Sequence, residues 1–200
     1  EGHPPLLAQF GVSLVERAVI DAVCRSANVP FAQAMRENRF GLDLGALDGE
    51  LAGMTPADVL PARPRERVAL RHTVGLSDPI TTGDIAAEDR LTDGLPQSVD
   101  EVIEHYGVSH FKIKVQGDPG TDLPRLEKLC EVIRPTQTGA RLTLDGNEQF
   151  KTIESFQQFW QQMLDRPSLA PLRERLLFVE QPLHRSVALS DEVGEALNAW

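Results

Sequence analysis

With 200 residues the chain can form one good-sized domain or two small ones, each with a real core. Thirty acidic residues stand against 20 basic ones, a formal net charge of -10, which argues against nucleic acid or an anionic membrane surface as partner. No apolar run approaches a membrane span and no charged-then-apolar signal segment opens the chain, so the expected setting is the cytoplasm. The first residue is Glu1 rather than Met, which suggests a trimmed start. Cys24 and Cys130 match no metal spacing, and Cys24 sits in an apolar stretch, which predicts a buried free thiol rather than a disulfide.

From the N-terminus, residues 13–27 read as a helix. Ser13 and Glu16 form a capping box, and Leu14, Ala18 and Ala22 with Val15, Val19 and Val23 form an apolar stripe. A second helix is predicted from Phe31 to Glu37, after Pro30. Glycines recur from Gly41 to Gly53 without a dinucleotide or phosphate-loop spacing, so loop and short helix are expected there. Pro56, Pro61 and Pro64 punctuate a connection, and the first domain is expected to span 1–67.

From Val68 onward, over 68–200, strands and helices alternate. The predicted strands are 68–76, 110–115, 141–147 and 176–182. The helices follow Ser98, cover roughly 123–134 and 153–164, and restart after Ser190. Strands separated by helices of this length form parallel βα units, either in an open sheet or in half of a (β/α)8 barrel. In both, ligands gather at the carboxyl ends of the strands. The long connection 77–95 suits a substrate-facing or lid role.

The charged residues lie at those ends. In HFKIKV, His110, Lys112 and Lys114 share one face of a strand, and Phe111, Ile113 and Val115 share the other. The bland reading is a solvated strand face, weakened because a parallel strand between helices is covered on both sides. Two ammonium groups inside a barrel disfavour each other's charged form, which suits a lysine to act as a base near neutral pH. Asp145 ends the apolar strand LTLD, and Asn147 follows two residues on; Asp-Gly-Asn also reads as a plain turn. Glu180 closes LLFVE, and a glutamate ending a buried strand needs a counter-charge or a metal. A hard ion such as Mg2+ takes carboxylate oxygens from neighbouring strands; Asp145 and Glu180 supply two ligands, and a third is missing. Successive charged ends are one βα repeat apart. His72 could point into the barrel mouth or be an ordinary strand histidine, and His184 and Arg185 read as loop. No Gly-x-Ser-x-Gly elbow, His-Glu-x-x-His motif or cysteine-based nucleophile site occurs.

Lys-x-Lys, then Asp-x-Asn, then Val-Glu-Gln-Pro on successive βα repeats resembles the enolase superfamily, in its mandelate racemase and muconate-lactonizing branches. The stretch SLVERAVIDAVCRSANVPF resembles the helical end of that family's capping domain, so the resemblance runs over about 13–200. It implies an α/β fold of (β/α)8-barrel type, of which about four βα units and the helices of the cap are present. It also implies an isomerase or lyase with Mg2+ as cofactor and a small carboxylate as substrate. Lys114 would be the base that removes the proton α to the carboxylate, Lys112 its charge-tuning neighbour, and Asp145 and Glu180 the first two Mg2+ ligands. Asn147 would be a polar group beside the site. The family's third ligand and second acid/base group belong to later strands, which this chain does not reach, so the segment alone is expected to be incomplete unless two copies complete each other's barrel. A non-catalytic α/β fragment or binding module, with Asp145 and Glu180 as turn and ion-pair groups, is the alternative.

Overall fold

The structure, a computed structural model, describes residues 5–136 and 139–200. The chain divides into two compact units, Glu1–Val68 and Ala69–Trp200.

In the first unit a helix, α1, spans Pro5–Ala27. It begins well before Ser13, so that residue does not cap it: the Ser13 hydroxyl donates to the Phe10 carbonyl at 2.8 Å, inside the helix. Such back-bonding is how a helical serine satisfies its own hydroxyl. Leu14, Val15 and Val19 are exposed, whereas Cys24 is buried with a free thiol. Asn28 adopts φ +53° and ends the helix, a left-handed position that Asn tolerates. After Pro30, α2 spans Phe31–Arg36. The Arg36 guanidinium donates to the carbonyls of Leu60 and Pro61, at 2.8 Å each, and ties α2 to the proline-rich segment. Between them α3, Pro56–Val59, starts where the Asp58 carboxylate accepts the Thr55 N–H at 2.8 Å and its hydroxyl at 2.7 Å.

The second unit is α/β. Its strands are β1 (Arg71–Val74), β2 (His110–Lys114), β3 (Arg141–Asp145) and β4 (Leu176–Glu180). They form one four-stranded sheet in the order β1-β2-β3-β4, every pairing parallel. The connecting helices are α4 (Val99–Tyr106), α5 (Pro119–Thr136), α6 (Ile153–Leu164) and α7 (Ala170–Arg175), and α8 (Asp191–Asn198) follows β4. Ser98 does not cap α4 with its side chain, which donates to Asp100; Glu101 reaches back instead and accepts the Gln97 N–H at 2.8 Å. At α8 the Ser190 hydroxyl does accept the Val193 N–H.

Alternation along the strands sorts the two faces. Val74, Phe111, Ile113, Leu142 and Leu144 join Val102, Ile103, Leu126, Leu129, Phe156, Phe159 and Leu172 in one hydrophobic core, so the helices cover this face. Phe150 anchors it, with ring centroids 5.3 Å from both Phe156 and Phe159. Fully burying Phe111 and Ile113 contributes about 1.5–3 kcal/mol each. The opposite face carries Arg71, Thr73, Lys112, Lys114, Thr143, Asp145, Phe178 and Glu180. Along β4 the register shifts, Leu142 pairing with Leu176 but Thr143 with Phe178, so that Leu177 is an extra residue. Leu177 and Phe178 are exposed, so β4 is an edge strand and not the buried strand its apolar sequence predicts.

The 77–95 connection is fastened to the helices. Asp84 accepts the N–H groups of Ile80 and Thr81, at 3.0 and 2.8 Å, and pairs with Lys128 of α5. The Lys128 ammonium and the Thr81 N–H hold the pKa of its carboxyl down at about 2. Arg90 pairs with Glu101 of α4, and Arg125 of α5 donates to the carbonyls of Gly75 and Asp78 at 2.7 and 2.8 Å. Among the described residues, no helix is long and apolar enough to cross a membrane.

Candidate functional site

Parallel register sets Lys114, Asp145 and Glu180 abreast, at the carboxyl ends of β2, β3 and β4. All three lie on the face opposite the core, and neighbouring strands place them about 4.8 Å apart along the backbone. Lys112 sits one pleat below, level with Thr73 and Thr143.

The side chains make one connected network. Lys112 Nζ lies 2.8 Å from Asp145 Oδ2 and 4.0 Å from Glu180 Oε1. Lys114 Nζ donates to Asn147 Oδ1 at 3.2 Å, and the Asn147 N–H donates to Asp145 Oδ1 at 2.9 Å. Asp145 is 3% exposed, Lys112 21% and Glu180 25%, so the carboxylate at the centre is the driest. Burial disfavours its charged form, but the hydrogen bonds from Lys112 and the Asn147 N–H, with the charges of Lys112 and Lys114, outweigh that and hold it below the ordinary carboxylate range.

Arg71, which the sequence did not single out, completes the network. It starts β1 at the opposite end of the sheet, yet its Nη1 donates to Thr143 Oγ1 at 3.1 Å and to Glu180 Oε1 at 3.2 Å. The counter-charge that Glu180 requires is therefore present. Three cationic groups (Arg71, Lys112, Lys114) and two carboxylates share this network, leaving one positive charge in excess. The usable signal was the parity of β1: Arg71 pairs with His110, on the lysine face.

The same parity removes His72 from the site. It pairs with Phe111, on the helix-covered face, and is not brought near Lys112 or Lys114. Burial pushes its imidazole below the usual value, against the opposing charge of Asp78.

Beyond the strands, the turns after β3 and β4 stay zipped together. Gly146 N–H donates to the Glu180 carbonyl at 3.0 Å, Glu148 N–H to Gln181 at 2.8 Å, and Phe150 N–H to Pro182 at 3.1 Å. Arg185 clasps the Glu148 carboxylate with two bonds, at 2.7 and 2.8 Å, while His184 turns to Ser186 at 2.7 Å. Asn147, Glu148 and Gln181 have φ of +46°, +62° and +45°. Left-handed backbone in non-glycine residues costs on the order of 1 kcal/mol or more each, and it persists only where surroundings over-determine it.

Asp145 and Glu180 offer hard oxygen donors that address one point, since a single ammonium, that of Lys112, stands within 4.0 Å of both. That chemistry fits a divalent cation with two of its ligands. Among the described residues no group of three or more His, Cys, Asp or Glu side chains converges to hold a metal ion. Comparison with known proteins gives no match to a family model, a curated protein or a solved structure.

Proposed function

We propose that the second unit is the first half of a (β/α)8 barrel in a Mg2+-dependent enzyme of enolase-superfamily type, acting on a small carboxylate in the cytoplasm. The observation that supports this reading most is the row Lys114, Asp145, Glu180 across three neighbouring strand ends, with Lys112 beneath it. Asp145 and Glu180 would hold the cation, which when bound supplies positive charge opposite the substrate carboxylate. Lys114, steadied by Asn147, takes the proton from the carbon α to that carboxylate. Lys112 keeps positive charge beside the electrons released, and fixed charge of this kind does most to lower the barrier when an anion develops in the transition state. Racemisation, dehydration or cycloisomerisation then depends on a second acid/base group, which the resemblance assigns to later strands.

The test is exchange of the α-proton. Acid sugars and amino-acid derivatives incubated with the complete enzyme and Mg2+ in D2O should lose their α-proton NMR signal, and Lys114→Ala should abolish that loss. Exchange at an undiminished rate in Lys114→Ala would remove Lys114 from the role of base. The ion pairs of Asp145 with Lys112 and of Glu180 with Arg71 favour a second reading, in which both carboxylates serve only as counter-ions in a non-catalytic binding module. Exchange with none of these acids, together with no Mg2+ dependence of the melting temperature, is what that reading expects.

A further inference from the structure

We infer that Arg71 is a built-in competitor for the cation at Glu180, which must leave that carboxylate before a divalent ion can bind; the inference rests on the cation site proposed above. The geometry carries it. Arg71 Nη1 and Lys112 Nζ approach the same oxygen, Glu180 Oε1, at 3.2 and 4.0 Å. Lys112 marks the point that faces both carboxylates, so the oxygen a shared cation would use is the one Arg71 already holds. The same Nη1 also donates to Thr143 Oγ1 at 3.1 Å, and Thr143 is buried. When Arg71 releases Glu180 it therefore keeps a partner in Thr143, and its side chain, 39% exposed, can give its freed N–H to water. The release needs no unsatisfied buried donor, which would otherwise oppose it. Arg71 also keeps Glu180 from standing as an unpaired carboxylate while no ion is bound.

Charge sets the direction of the effect. A divalent ion entering a network of three cations and two carboxylates meets net repulsion from the groups beyond its ligands, and the guanidinium is one of them. Removing that unit charge should tighten binding roughly tenfold, the effect of a single charge on a divalent ion about 6 Å away even in water-like dielectric.

Mn2+ is the probe, with free ion counted by electron paramagnetic resonance, and circular dichroism confirming the fold of each variant. Arg71→Met is expected to bind Mn2+ about tenfold more tightly than the parent, Arg71→Lys about as weakly as the parent, and Arg71→Met/Glu180→Gln not at all. Arg71→Gln, which removes the charge but keeps a polar side chain, should tighten binding like Arg71→Met and replaces it if that variant does not fold. Unchanged or weaker binding in the charge-removing variants, alongside weakening of the parent site by Asp145→Asn, would overturn the competitor role and leave the cation site standing. If no variant binds Mn2+ in a manner that Asp145→Asn abolishes, the cation site fails and the competitor role with it.

Discussion

Gly146 is where the two carboxylate-bearing turns come closest, and replacing it with alanine tests whether their spacing is fixed. A Cβ at this position would stand 2.6 Å from Pro182 Cα and 3.1 Å from the Gln181 carbonyl oxygen. A relaxed carbon–carbon contact needs about 3.5 Å, so the turns must part by roughly 1 Å, and the obstacle is backbone rather than a side chain that can swing aside. The Gly146 N–H also donates to the Glu180 carbonyl at 3.0 Å, so the same movement loosens the bond that aligns the ends of β3 and β4. Overpacking of this kind costs about 1–3 kcal/mol. For a chain of 200 residues each kcal/mol lowers the melting temperature by about 2–4 °C, so Gly146→Ala should melt roughly 2–12 °C below the parent. Differential scanning calorimetry measures this directly, and hydrogen exchange at the Gly146 and Glu148 amides reports whether the loss is local. A melt that coincides with the parent's would refute the argument, because it would mean the turns separate freely and do not fix Glu180 against Asp145.

Acidification should separate Asp145 from an ordinary surface carboxylate. Its folded-state pKa is lowered, so the stability it contributes is present above the unfolded-state carboxylate value and is lost as pH falls through the folded value. Asp145→Asn should therefore melt below the parent near neutral pH, with a gap that narrows as pH falls below the ordinary carboxylate range and through the lowered folded-state value; a constant gap in thermal melts would contradict this. In the core, Phe159→Ala removes a ring that is almost fully buried and packed on Phe150, and should cost about 3–5 kcal/mol in urea unfolding. A loss under about 1 kcal/mol would mean the aromatic cluster does not hold α6 to the sheet.

Much of the α/β unit was legible because its signals are local. Alternation in HFKIKV gave the two faces of β2, and α6 spans the residues its apolar period marks. What escaped depended on pairing. The run 68–76 is strand only over Arg71–Val74, where it lies against β2. The face of His72 and the reach of Arg71 follow from register, which no single segment of sequence contains. The helix α7 was missed; Pro167 and Pro171, which punctuate that segment, both fall in first turns, where a missing N–H does no harm. Ser13 misled in the other direction: a serine ahead of an apolar stripe reads as a cap whether or not the helix has already begun. At the site, the row of charged strand ends was legible and Glu180's need for a counter-charge was stated. The identity of that counter-charge, a long side chain rising from the far end of β1, was not.

The extra residue in β4 gives that strand's register a chemical meaning. If Leu177 took a regular place in the ladder after Leu176 instead of bulging out, Val179 would stand beside Asp145 and Glu180 would turn toward the helices. The bulge thus decides whether the strand ends in an acid or a hydrocarbon on the charged face. Flattening the bulge with Leu177 kept in the ladder would act on the site as a double substitution, moving the carboxylate out and valine in while leaving every residue of the network unmutated, whereas loss of Leu177 itself would leave Glu180 beside Asp145. A slip of register, harmless in the surface connections, is in this strand equivalent to a change of chemistry.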